Sequence, residues 1–465
     1  MLFIGRRKEL QKFETCYNST RAELIILYGR RRIGKTAFLR KFMEGKEAFY
    51  FNARESEDNE QREKFKQKML SFGFDNEPSS LDDWKGIFQN LIGLKLAGRK
   101  LIIIDGSQTL FKGNREFPSI VQKAWGNLLS KENIMIVFCV STMDNINASN
   151  LTEKNPLYGY ATLTLKMNEL PFDDVMKFFP DYTLDEKIVA YSILGGVPLY
   201  LRQFSSSLSL EENIERNILS NEALLYNETE FILKQELRET ATYNTLLSAI
   251  AHGNTRLSDI SQKTNINPTK ANVYLKNLIE LSIVVKEYSI LEPAESTTNI
   301  HNGRYRITDN FFHFWYRFVY PNTDIIEMGN TGHLANQISE CMEEGYTLTC
   351  FKELCIMYIR ERNSMNDLPF MADRIGKIWG KTFEIDVGAI NGKALLIGEC
   401  LWSDSPAGIE IANNMKEKIM NNKQLSDRED YILCVFSNSG FTPTLIEESN
   451  RSGINLCDTE SMFGI

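Results

Sequence analysis

The segment YGRRRIGKT, residues 28–36, has the residue types and the spacing of a phosphate-binding loop. Gly29 and Gly34 allow the backbone to turn its N–H groups toward phosphate oxygens, and the helix that follows adds its positive N-terminal end. Lys35 is placed to neutralise the β- and γ-phosphates, and the hydroxyl of Thr36 is placed to ligate Mg²⁺. The segment therefore predicts a site for a nucleoside triphosphate with magnesium, and ATP is the ligand that we expect.

The other residues of this loop are predicted to bind phosphate through their backbone N–H groups. They are Arg30, Arg31, Arg32 and Ile33. A loop of this kind needs the backbone at these positions more than it needs the side chains. The three arginine side chains therefore have two interpretations, as further phosphate ligands or as solvated cations.

Two polar residues at the ends of hydrophobic strands are predicted to complete the nucleotide site. Asp105 ends the strand LIIID, and an acid in this position holds Mg²⁺ through water. Ser141 follows IMIVFCV, where it either offers a hydroxyl to the γ-phosphate or is a solvated strand end. Gly106 follows Asp105 and has no side chain that could take a proton from an attacking water. The pattern favours binding of ATP over its rapid hydrolysis.

The elements that position these residues alternate between buried strands and helices. The strand-like runs are AELIILYG, EAFYFNA, RKLIIID and IMIVFCV, and helical patterns separate them. This alternation predicts an α/β fold in which helices cover a parallel sheet of the P-loop NTPase type. We expect this nucleotide-binding core at residues 1–167 and a helical lid subdomain, interrupted by GGVP, at residues 168–237.

A change of pattern predicts a winged-helix domain at residues 238–322. Three helices are followed by two strands, and Asn267 or Pro268 opens the third helix. The exposed side of this helix is predicted to carry Thr269, Lys270, Asn272, Tyr274, Lys276 and Asn277. Its packing side is predicted to carry Ala271, Val273, Leu275 and Leu278. DNA and a protein partner are both compatible with such a surface.

The aromatic run FFHFWYRFVY, residues 311–320, closes the winged-helix region. Its rings could stack on nucleic-acid bases, but so dense a run is more typical of a hydrophobic joint between domains. Beyond it, residues 323–465 contain the strand-like runs FEIDVGAI, KALLIGECLW and YILCVFS, with helical stretches on both sides. We therefore expect a small α/β domain in this part of the chain.

Acidic residues on a predicted hairpin of this domain form a second candidate site. Placing the dipeptide NG, residues 391–392, at the turn puts Asp386 opposite Ile397. Asp386 and Glu399 then lie on one face of the sheet about 7 Å apart, which is near enough for two carboxylates to share a divalent cation. An exposed acidic face without a function is the alternative.

Composition limits the functions that the chain can have. With 465 residues, two to four domains are expected. The net charge of −8 argues against coating nucleic acid or an acidic membrane, so any DNA contact must be local. The eight cysteines contain no CxxC pair, the histidines show no ligand spacing, and no apolar run approaches ~18 residues. We expect a cytoplasmic protein without a zinc site, and we leave open a protein partner or a homo-oligomer.

Several motifs, taken in order, resemble the archaeal-type ATPase family. They are FIGRRKEL, YGRRRIGKT, IIIDGSQTL, NPLYGYA, GGVPLYL, YRITDNFFHFWYRFVYPN and GKIWGKTFEIDVGAINGKALLIGECLW. The resemblance extends from Phe3 to about Trp402. It implies an ATPase related to the AAA+ and STAND classes, joined to a winged helix and to a C-terminal domain similar to PD-(D/E)xK nucleases.

The resemblance also exposes departures in the nucleotide site. Gly106 stands where the family usually has a glutamate, and Tyr160 stands where it usually has an arginine that could sense phosphate. Glycine offers no base and tyrosine no fixed positive charge, so both losses fall on hydrolysis. The phosphate-binding loop itself is intact.

A third departure lies in the C-terminal domain. The resemblance makes Asp386 and Glu399 metal ligands and nuclease candidates, with Glu353 as a possible third acid, but Leu401 occupies the position of the catalytic lysine. The sequence therefore predicts an ATP-binding protein in which nucleotide switches the domain arrangement and hydrolysis is weak. An ATP-regulated, metal-dependent DNA nuclease and a winged-helix DNA-binding regulator are the alternatives.

Overall fold

The computed structural model describes residues 3–141, 157, 159–237, 239–292, 303–428 and 430–464. The chain divides into two compact units. The first contains Met1–Leu170 and Val197–Leu199, and the second contains Pro171–Gly196 and Tyr200–Ile465. In the described part of the chain, no helix is both long enough and apolar enough to cross a membrane.

The first unit is built on a parallel sheet of five strands, as in P-loop NTPases, which confirms the predicted α/β class. The strands are β1 (Glu23–Gly29), β2 (Ala48–Asn52), β3 (Lys100–Asp105), β4 (Ile134–Ser141) and β5 (Leu163–Lys166). Their order is β2-β3-β4-β1-β5, and every neighbouring pair is parallel. Each residue of β4 is buried, which is the pattern of a central strand covered on both faces.

The carboxyl ends of these strands meet at one edge of the sheet. Gly29 lies beside Ser141, and Asp105 lies beside Cys139. The three residues that the sequence singled out at strand ends are therefore neighbours in space, because parallel strands bring like ends together. The helices of this unit are α1 (Arg7–Tyr17), α2 (Lys35–Met43), α3 (Asp58–Phe72), α4 (Trp84–Gln89), α5 (Gln108–Gly113) and α6 (Phe117–Asn127).

A helical stretch follows β5, where the sequence predicted a helical lid. Its helices are α7 (Phe172–Val175), α8 (Leu184–Leu194), α9 (Pro198–Leu201), α10 (Leu210–Asn217) and α11 (Leu224–Glu236). Two of them begin with a capping box, in which a serine or threonine and a glutamate three residues later satisfy each other's backbone N–H groups. Thr183 and Glu186 begin α8, and Ser209 and Glu212 begin α10.

Three helices and a two-stranded antiparallel ribbon come next, in the predicted order, and we call residues 240–307 the helix–ribbon segment. Its elements are α12 (Thr240–Ala251), α13 (Leu257–Thr264), α14 (Pro268–Glu280), β6 (Val284–Glu287) and β7 (Arg304–Ile307). The side chain of Asn267 accepts a hydrogen bond from the N–H of Thr269 at 2.9 Å, so Asn267 caps α14.

The exposed side of α14 differs from the prediction at four positions, one of which is Tyr274, a half-buried ring that lies 4.7 Å from the ring of Tyr243. Val273 was predicted to pack inside, but its side chain is 53% exposed. Asn272 and Asn277 were predicted to be exposed, but both are half-buried, and Asn277 Nδ2 donates to Tyr243 Oη at 2.7 Å. A packing stripe needs positions three or four residues apart, and Val273 falls between them. The buried stripe consists of Ala271, Leu275 and Leu278.

The aromatic run lies in the core of the second unit. Its rings are at most 1% exposed at Phe311, Phe312, Phe314, Trp315 and Tyr316. Rings buried to this degree cannot stack on bases, so the burial agrees with the interpretation as a hydrophobic joint. The run forms α15 (Asn310–Phe314) and a π-helical turn at Trp315–Val319, and it is followed by α16 (Thr323–Glu327), α17 (Thr331–Cys341) and α18 (Thr347–Ser364).

The C-terminal part of the second unit is a mixed sheet of five strands. They are β8 (Arg374–Trp379), β9 (Glu384–Asn391), β10 (Ala394–Leu401), β11 (Asp430–Ser437) and β12 (Asn455–Asp458), in the order β12-β11-β10-β9-β8. The strands from β8 to β10 are antiparallel, and those from β10 to β12 are parallel. The remaining helices are α19 (Ile409–Met420), α20 (Lys423–Ser426), α21 (Pro443–Ser452) and α22 (Thr459–Phe463). Helix α18 packs on one face of the sheet and α19 on the other.

The predicted register of the β9–β10 hairpin is wrong by two residues. Asn391 pairs with Ala394, so the turn consists of Gly392 and Lys393 instead of residues 391–392. Gly392 has φ +52°, and a glycine at the first central position is what a type II′ turn requires. The ladder of β9 with β8 is also irregular, with a register shift between Gly376 and Ile378. This irregularity breaks the simple alternation on which the prediction of one shared acidic face depended.

Candidate functional site

The phosphate-binding loop connects the end of β1 to the start of α2. A Cβ on Gly29 would lie 2.5 Å from the carbonyl oxygen of Met167, so only glycine fits this close approach. Arg32 has φ +68°, a conformation that costs free energy for a residue with a Cβ and that is common at binding loops. The loop is therefore held in a particular conformation by its neighbours in the first unit.

Lys35 lies inside this loop. Its Nζ donates to the carbonyl oxygens of Gly29 at 2.6 Å and of Arg30 at 2.8 Å. These bonds place the ammonium group at the centre of the ring of backbone that the loop forms. This is the position in which a positive charge can meet the β- and γ-phosphates of a nucleotide.

The arginines of the loop have different environments. Arg30 is 10% exposed and pairs with Glu169 at 3.3 Å, whereas Arg32 is exposed. Arg6, which the sequence reasoning missed, is 5% exposed and donates to the carbonyl oxygens of Ile33 at 3.3 Å and Asn168 at 2.6 Å. Through these hydrogen bonds Arg6 helps to hold the loop in its conformation. Its place in the motif FIGRRKEL was the available signal.

Thr36 and Asp105, the predicted magnesium ligands, are in contact. Thr36 Oγ1 donates to Asp105 Oδ2 at 2.7 Å, and Asp105 is only 6% exposed. Tyr50 Oη donates to the same oxygen at 2.9 Å. Burial, and then the negative charge of Asp105, raise the pKa of Tyr50, so the phenol keeps its proton and remains a donor. The sequence reasoning missed Tyr50, although β2 and β3 are adjacent.

The surroundings of Gly106 leave no space for a side chain at this position. Gly106 has φ +74°, and a Cβ at this position would lie 2.6 Å from the carbonyl oxygen of Ala53. That carbonyl cannot withdraw easily, because the N–H of Ala53 donates to the carbonyl oxygen of Asp105 at 2.8 Å. A glutamate side chain therefore has no place here in this conformation, and the absence of a carboxylate base is built into the backbone.

Ser141 lies at the same edge, beside Gly29. It is 4% exposed, and within the described part of the chain its hydroxyl oxygen has no hydrogen-bond partner. Its backbone N–H donates to Gln108 Oε1 at 3.3 Å. Ser141 is therefore buried rather than solvated. Gln108 is a further polar group at this edge that the sequence reasoning missed.

Tyr160 carries no positive charge toward the loop, as the sequence indicated, and its side chain is 39% exposed. Of the motif NPLYGYA, to which Tyr160 belongs, the structure describes Leu157, Gly159, Tyr160 and Ala161, and residues 155, 156 and 158 lie outside the described residues. The prediction that a phosphate-sensing arginine is missing therefore rests on the sequence alone.

The motif GGVPLYL also approaches the phosphate-binding loop. A Cβ on Gly34 would lie 3.7 Å from Cγ of Pro198. Val197–Leu199 belongs to the first unit, and Tyr200, the next residue, belongs to the second. Tyr200 is fully buried, and its ring centroid lies 4.8 Å from that of Phe311. Pro198, beside the loop, and Tyr200, in the core of the second unit, are thus two residues apart in the chain.

The two acids of the C-terminal hairpin are each paired with a lysine. Asp386 Oδ1 lies 2.6 Å from Lys352 Nζ on α18, and its Oδ2 accepts from the N–H of Cys400 at 3.1 Å. Glu399 Oε1 lies 2.7 Å from Lys418 Nζ on α19. Since α18 and α19 cover opposite faces of the sheet, the two carboxylates are held from opposite sides.

The pKa values of this region agree with that pairing. Burial, and then the negative charge of Asp386, raise the pKa of Glu399, while Lys418 lowers it. Burial, the largest single influence on Lys352, lowers its pKa, but the charge of Asp386, the hydrogen bond to Asp386 and smaller charge effects together outweigh burial and raise the pKa. On balance the pKa of Glu399 is raised, so the ammonium groups offset only part of the repulsion between the acids that suggested a metal.

Glu353, the third candidate acid, is directed elsewhere. It lies 2.6 Å from Lys377 Nζ and 3.3 Å from Arg306 Nη2. Leu401, at the position of the missing lysine, is half-buried against the core beneath α19. Among the described residues, no three His, Cys, Asp or Glu side chains are grouped so that they could hold a metal ion.

Comparison with known families gives two matches. Residues 3–204 match an ATPase domain found predominantly in Archaea, and residues 315–421 match a domain described as "Archaea bacterial proteins of unknown function". An uncharacterized protein of Methanocaldococcus jannaschii is 31% identical over 410 residues, which cover 87% of this chain and 88% of that protein. An uncharacterized ATP-binding protein of the same organism is 50% identical over 46 residues, 10% of this chain and 78% of that protein.

Solved structures give weaker similarities. The Aeropyrum pernix ORC2 protein in ADPNP–ADP complexes has a TM-score of 0.42 and 14% identity, covering 70% of this chain and 92% of that one. A STAND protein with a tetratricopeptide repeat sensor from Pyrococcus horikoshii has a TM-score of 0.32 and 15% identity, covering 80% and 52%. The family matches and the long M. jannaschii relative are decisive: the chain belongs to the archaeal ATPase family, with the ATPase domain at residues 3–204.

Proposed function

We propose that this protein binds ATP with Mg²⁺ in the phosphate-binding loop and hydrolyses it slowly, so that the nucleotide acts mainly as a switch ligand. The observation that carries the proposal is the backbone at Gly106. Its left-handed φ and the 2.6 Å approach of its would-be Cβ to the carbonyl oxygen of Ala53 exclude a carboxylate directly after Asp105. Rapid hydrolysis usually depends on a group that orients or deprotonates the attacking water.

Other groups at this edge support binding more than hydrolysis. Gln108 can orient a water molecule through its amide, but an amide does not take up a proton at neutral pH. The hydroxyl of Ser141 is suited to donate to a γ-phosphate oxygen. Lys35 supplies the charge that the phosphates need. Among the described residues, the site therefore retains its binding groups and has no carboxylate at the position after Asp105.

Magnesium fits the residues that would hold it. Thr36 and Asp105 present a hydroxyl and a carboxylate 2.7 Å apart, and oxygen atoms of these kinds are the ligands that Mg²⁺ prefers. The ion would neutralise charge on the β- and γ-phosphates. Tyr50, through its bond to Asp105 Oδ2, keeps that carboxylate in one orientation.

The switch part of the proposal depends on the connection through GGVPLYL. Pro198 contacts the loop near Gly34, and Tyr200 packs against Phe311 in the second unit. A change in the loop on nucleotide binding would displace Pro198 and, through the chain, Tyr200. We therefore propose that nucleotide alters the arrangement of the helical lid, the winged helix and the C-terminal domain.

Hydrogen exchange tests this proposal. ATP, and equally a non-hydrolysable analogue, should slow amide exchange in α8, α9 and α15, because bound nucleotide fixes the segment that joins them to the loop. Lys35→Ala should abolish the change. A nucleotide effect confined to the first unit would contradict the switch, and an effect with ATP that the analogue fails to produce would contradict the role of ATP as a ligand.

A second candidate function is contact with DNA through the winged helix. On α14, Thr269, Lys270 and Lys276 are exposed, and neither lysine makes an ion pair with any described residue. Two such lysines should each add about 1 to the slope of log affinity against log salt concentration. A mobility-shift titration of the double variant Lys270→Ala/Lys276→Ala, with exposed Lys64→Ala as control, should show that loss. Unchanged affinity would exclude this face and favour a protein partner.

Metal-dependent DNA cleavage is the alternative with less geometric support. Asp386 and Glu399 would have to give up Lys352 and Lys418 before they could share a cation. Incubation of supercoiled DNA with the protein and Mg²⁺ or Mn²⁺ should therefore leave the DNA intact. Cleavage that disappears in Asp386→Ala would establish the nuclease instead.

A further inference from the structure

We propose that a cavity in the second unit, remote in sequence from the phosphate-binding loop, binds a small molecule that combines an anionic group with a planar ring. The cavity has a volume of about 510 Å³, within the range of small-molecule pockets. The helix–ribbon segment, the aromatic run and the C-terminal sheet all contribute to its walls. Neither the proposed ATP site nor the C-terminal acids Asp386 and Glu399 are part of it.

Among the wall residues whose side chains the structure describes, the charged groups form a network with one cation in excess. The acids are Glu287, Glu353 and Glu384, and the cations are Arg304, Arg306, Arg317 and Lys377. Arg306 bonds to Glu287 at 2.6 Å and to Glu353 at 3.3 Å, and Lys377 bonds to Glu353 at 2.6 Å. Arg304 bonds to Glu384 at 2.7 Å. Each of these three carboxylates is therefore already paired with a cation.

Arg317 supplies the excess charge. Among the described residues it makes no ion pair, although it is half-buried in the wall. Burial, and then the positive charges of Arg306 and Arg317, lower the pKa of His313 to about 4. The imidazole of His313 is therefore neutral at pH 7 and adds no charge to the wall. A partly desolvated guanidinium without a carboxylate partner is suited to bind a carboxylate or a phosphate.

Aromatic groups of the wall define the rest of the ligand. The rings of His313 and Tyr346 are stacked with centroids 5.1 Å apart, and Phe318 lies 5.1 Å from Tyr346. On another side of the cavity Arg304 lies over the ring of Trp379 at 4.6 Å. Flat surfaces of this kind favour a planar ring, whereas a bare inorganic anion would leave them unused. The geometry thus points to an aromatic acid or an aromatic phosphate.

Intrinsic fluorescence tests the proposal directly, because Trp379 lines the cavity. Phenyl phosphate and benzoate are the probes, phenol is the uncharged control, and the full-length Lys35→Ala protein is used so that phosphate cannot report through the loop. We expect saturable binding of at least one of the two anions, with phenol at least about ten-fold weaker because a hydrogen bond to a charged group is worth that factor or more. The preferred probe distinguishes a carboxylate from a phosphate ligand. Trp379→Phe should remove the fluorescence signal while calorimetry still detects binding.

Substitutions at Arg317 and in the cavity decide the outcome. Arg317→Met should weaken binding at least about ten-fold, Arg317→Lys should weaken it less, and Arg216→Met on the exposed side of α10 should change nothing. Thr349→Trp fills the cavity without removing a charge and should also abolish binding. It gives an independent test in case the Arg317→Met protein does not fold. Absence of saturable binding at about 10 mM, well above the ~1 mM Kd expected for ligands of this size, would overturn the proposal. Binding that survives both Arg317→Met and Thr349→Trp would do so as well.

Discussion

The two sites that the sequence singled out differ in what already holds their charged groups. In the phosphate-binding loop, the described bonds of Lys35 go to carbonyl oxygens of Gly29 and Arg30, which carry no full negative charge. In the C-terminal hairpin, Asp386 and Glu399 each have an ammonium group within 2.7 Å. A divalent cation shared by the two acids would have to displace both of these ion pairs. Residue types alone did not distinguish the two sites.

The largest expected effect is the loss of ATP binding in Lys35→Ala. Removing the ammonium group takes away the main positive charge of the loop, and we expect the Kd for ATP to rise at least about 100-fold. Lys418→Ala removes a lysine from the C-terminal site and should leave ATP binding unchanged. Calorimetric titration of both variants measures the difference. If the two variants bound ATP equally, the contrast between the sites would be lost.

The next effect concerns stability and belongs to the C-terminal site. Lys352→Met leaves Asp386 buried without its partner and should lower the free energy of unfolding by roughly 2–3 kcal/mol, somewhat less than for a fully buried pair because Lys352 is 25% exposed. The matched control is Lys64→Met, whose pair with Glu60 is exposed on both sides, so its loss should change the free energy of unfolding little. Urea denaturation provides the values. A gain of metal-dependent DNA cleavage in Lys352→Met would mean that the lysine masks a competent metal site.

Gly106→Glu tests whether a carboxylate side chain after Asp105 is all that rapid ATP hydrolysis would need. Because the backbone at this position has φ +74° and no space for a Cβ, the change should cost about 1–3 kcal/mol of stability and should not raise the ATPase rate. Gly113→Ala, at a position with open space around its would-be Cβ, is the control. A stable Gly106→Glu protein with fast hydrolysis would show that the loop adapts and that the backbone argument fails.

Tyr50→Phe sharpens the description of the magnesium position. It removes one of the two hydroxyl donors to Asp105 Oδ2, and the loss of one such bond is worth about 1 kcal/mol, or roughly five-fold in affinity. We expect weaker ATP binding in the presence of Mg²⁺ and little change in its absence. An equal loss with and without Mg²⁺ would mean that Tyr50 acts on the fold instead of on the ion.

The smallest expected effect is a difference in pH dependence between two acids of the second unit. Burial and Asp386 raise the pKa of Glu399, so its contribution to stability falls as pH rises from the unfolded value, near ~4.3, through the folded one. Arg306 and Lys377 outweigh burial and lower the pKa of Glu353, so its contribution is present above ~4.3 and is lost as pH falls. Urea denaturation between about pH 2.5 and 7 should therefore show the two effects on opposite sides of ~4.3: relative to the wild type, Glu399→Gln changes the slope above that pH and Glu353→Gln changes it below, with opposite sign. Equal slopes would contradict these ionic environments.

Local patterns were enough to predict which residues meet at one edge of the parallel sheet, because these residues lie on one strand–loop–helix connection and at the ends of adjacent strands. Asp105 and Ser141 lie at the predicted edge for this reason. Tyr50, Arg6 and Gln108 were missed because their roles depend on which strands and loops become neighbours. Sequence spacing does not encode such contacts without the fold.

The C-terminal hairpin shows the opposite case. Its existence followed from the sequence pattern, but the turn lies one residue further along than predicted and the ladder with β8 is irregular. Lys352 and Lys418 belong to two helices that no local pattern connects to β9 or β10. The lysines that form ion pairs with these acids therefore could not be predicted from the sequence of the hairpin alone.

The central claim is that ATP is held and hydrolysed slowly, and the most direct test measures binding and turnover on the same sample. We predict saturable ATP binding that Lys35→Ala abolishes, together with a turnover number well below the ~1 s⁻¹ at the slow end of typical enzymes. A turnover number of that size or larger, lost in Lys35→Ala, would contradict the account.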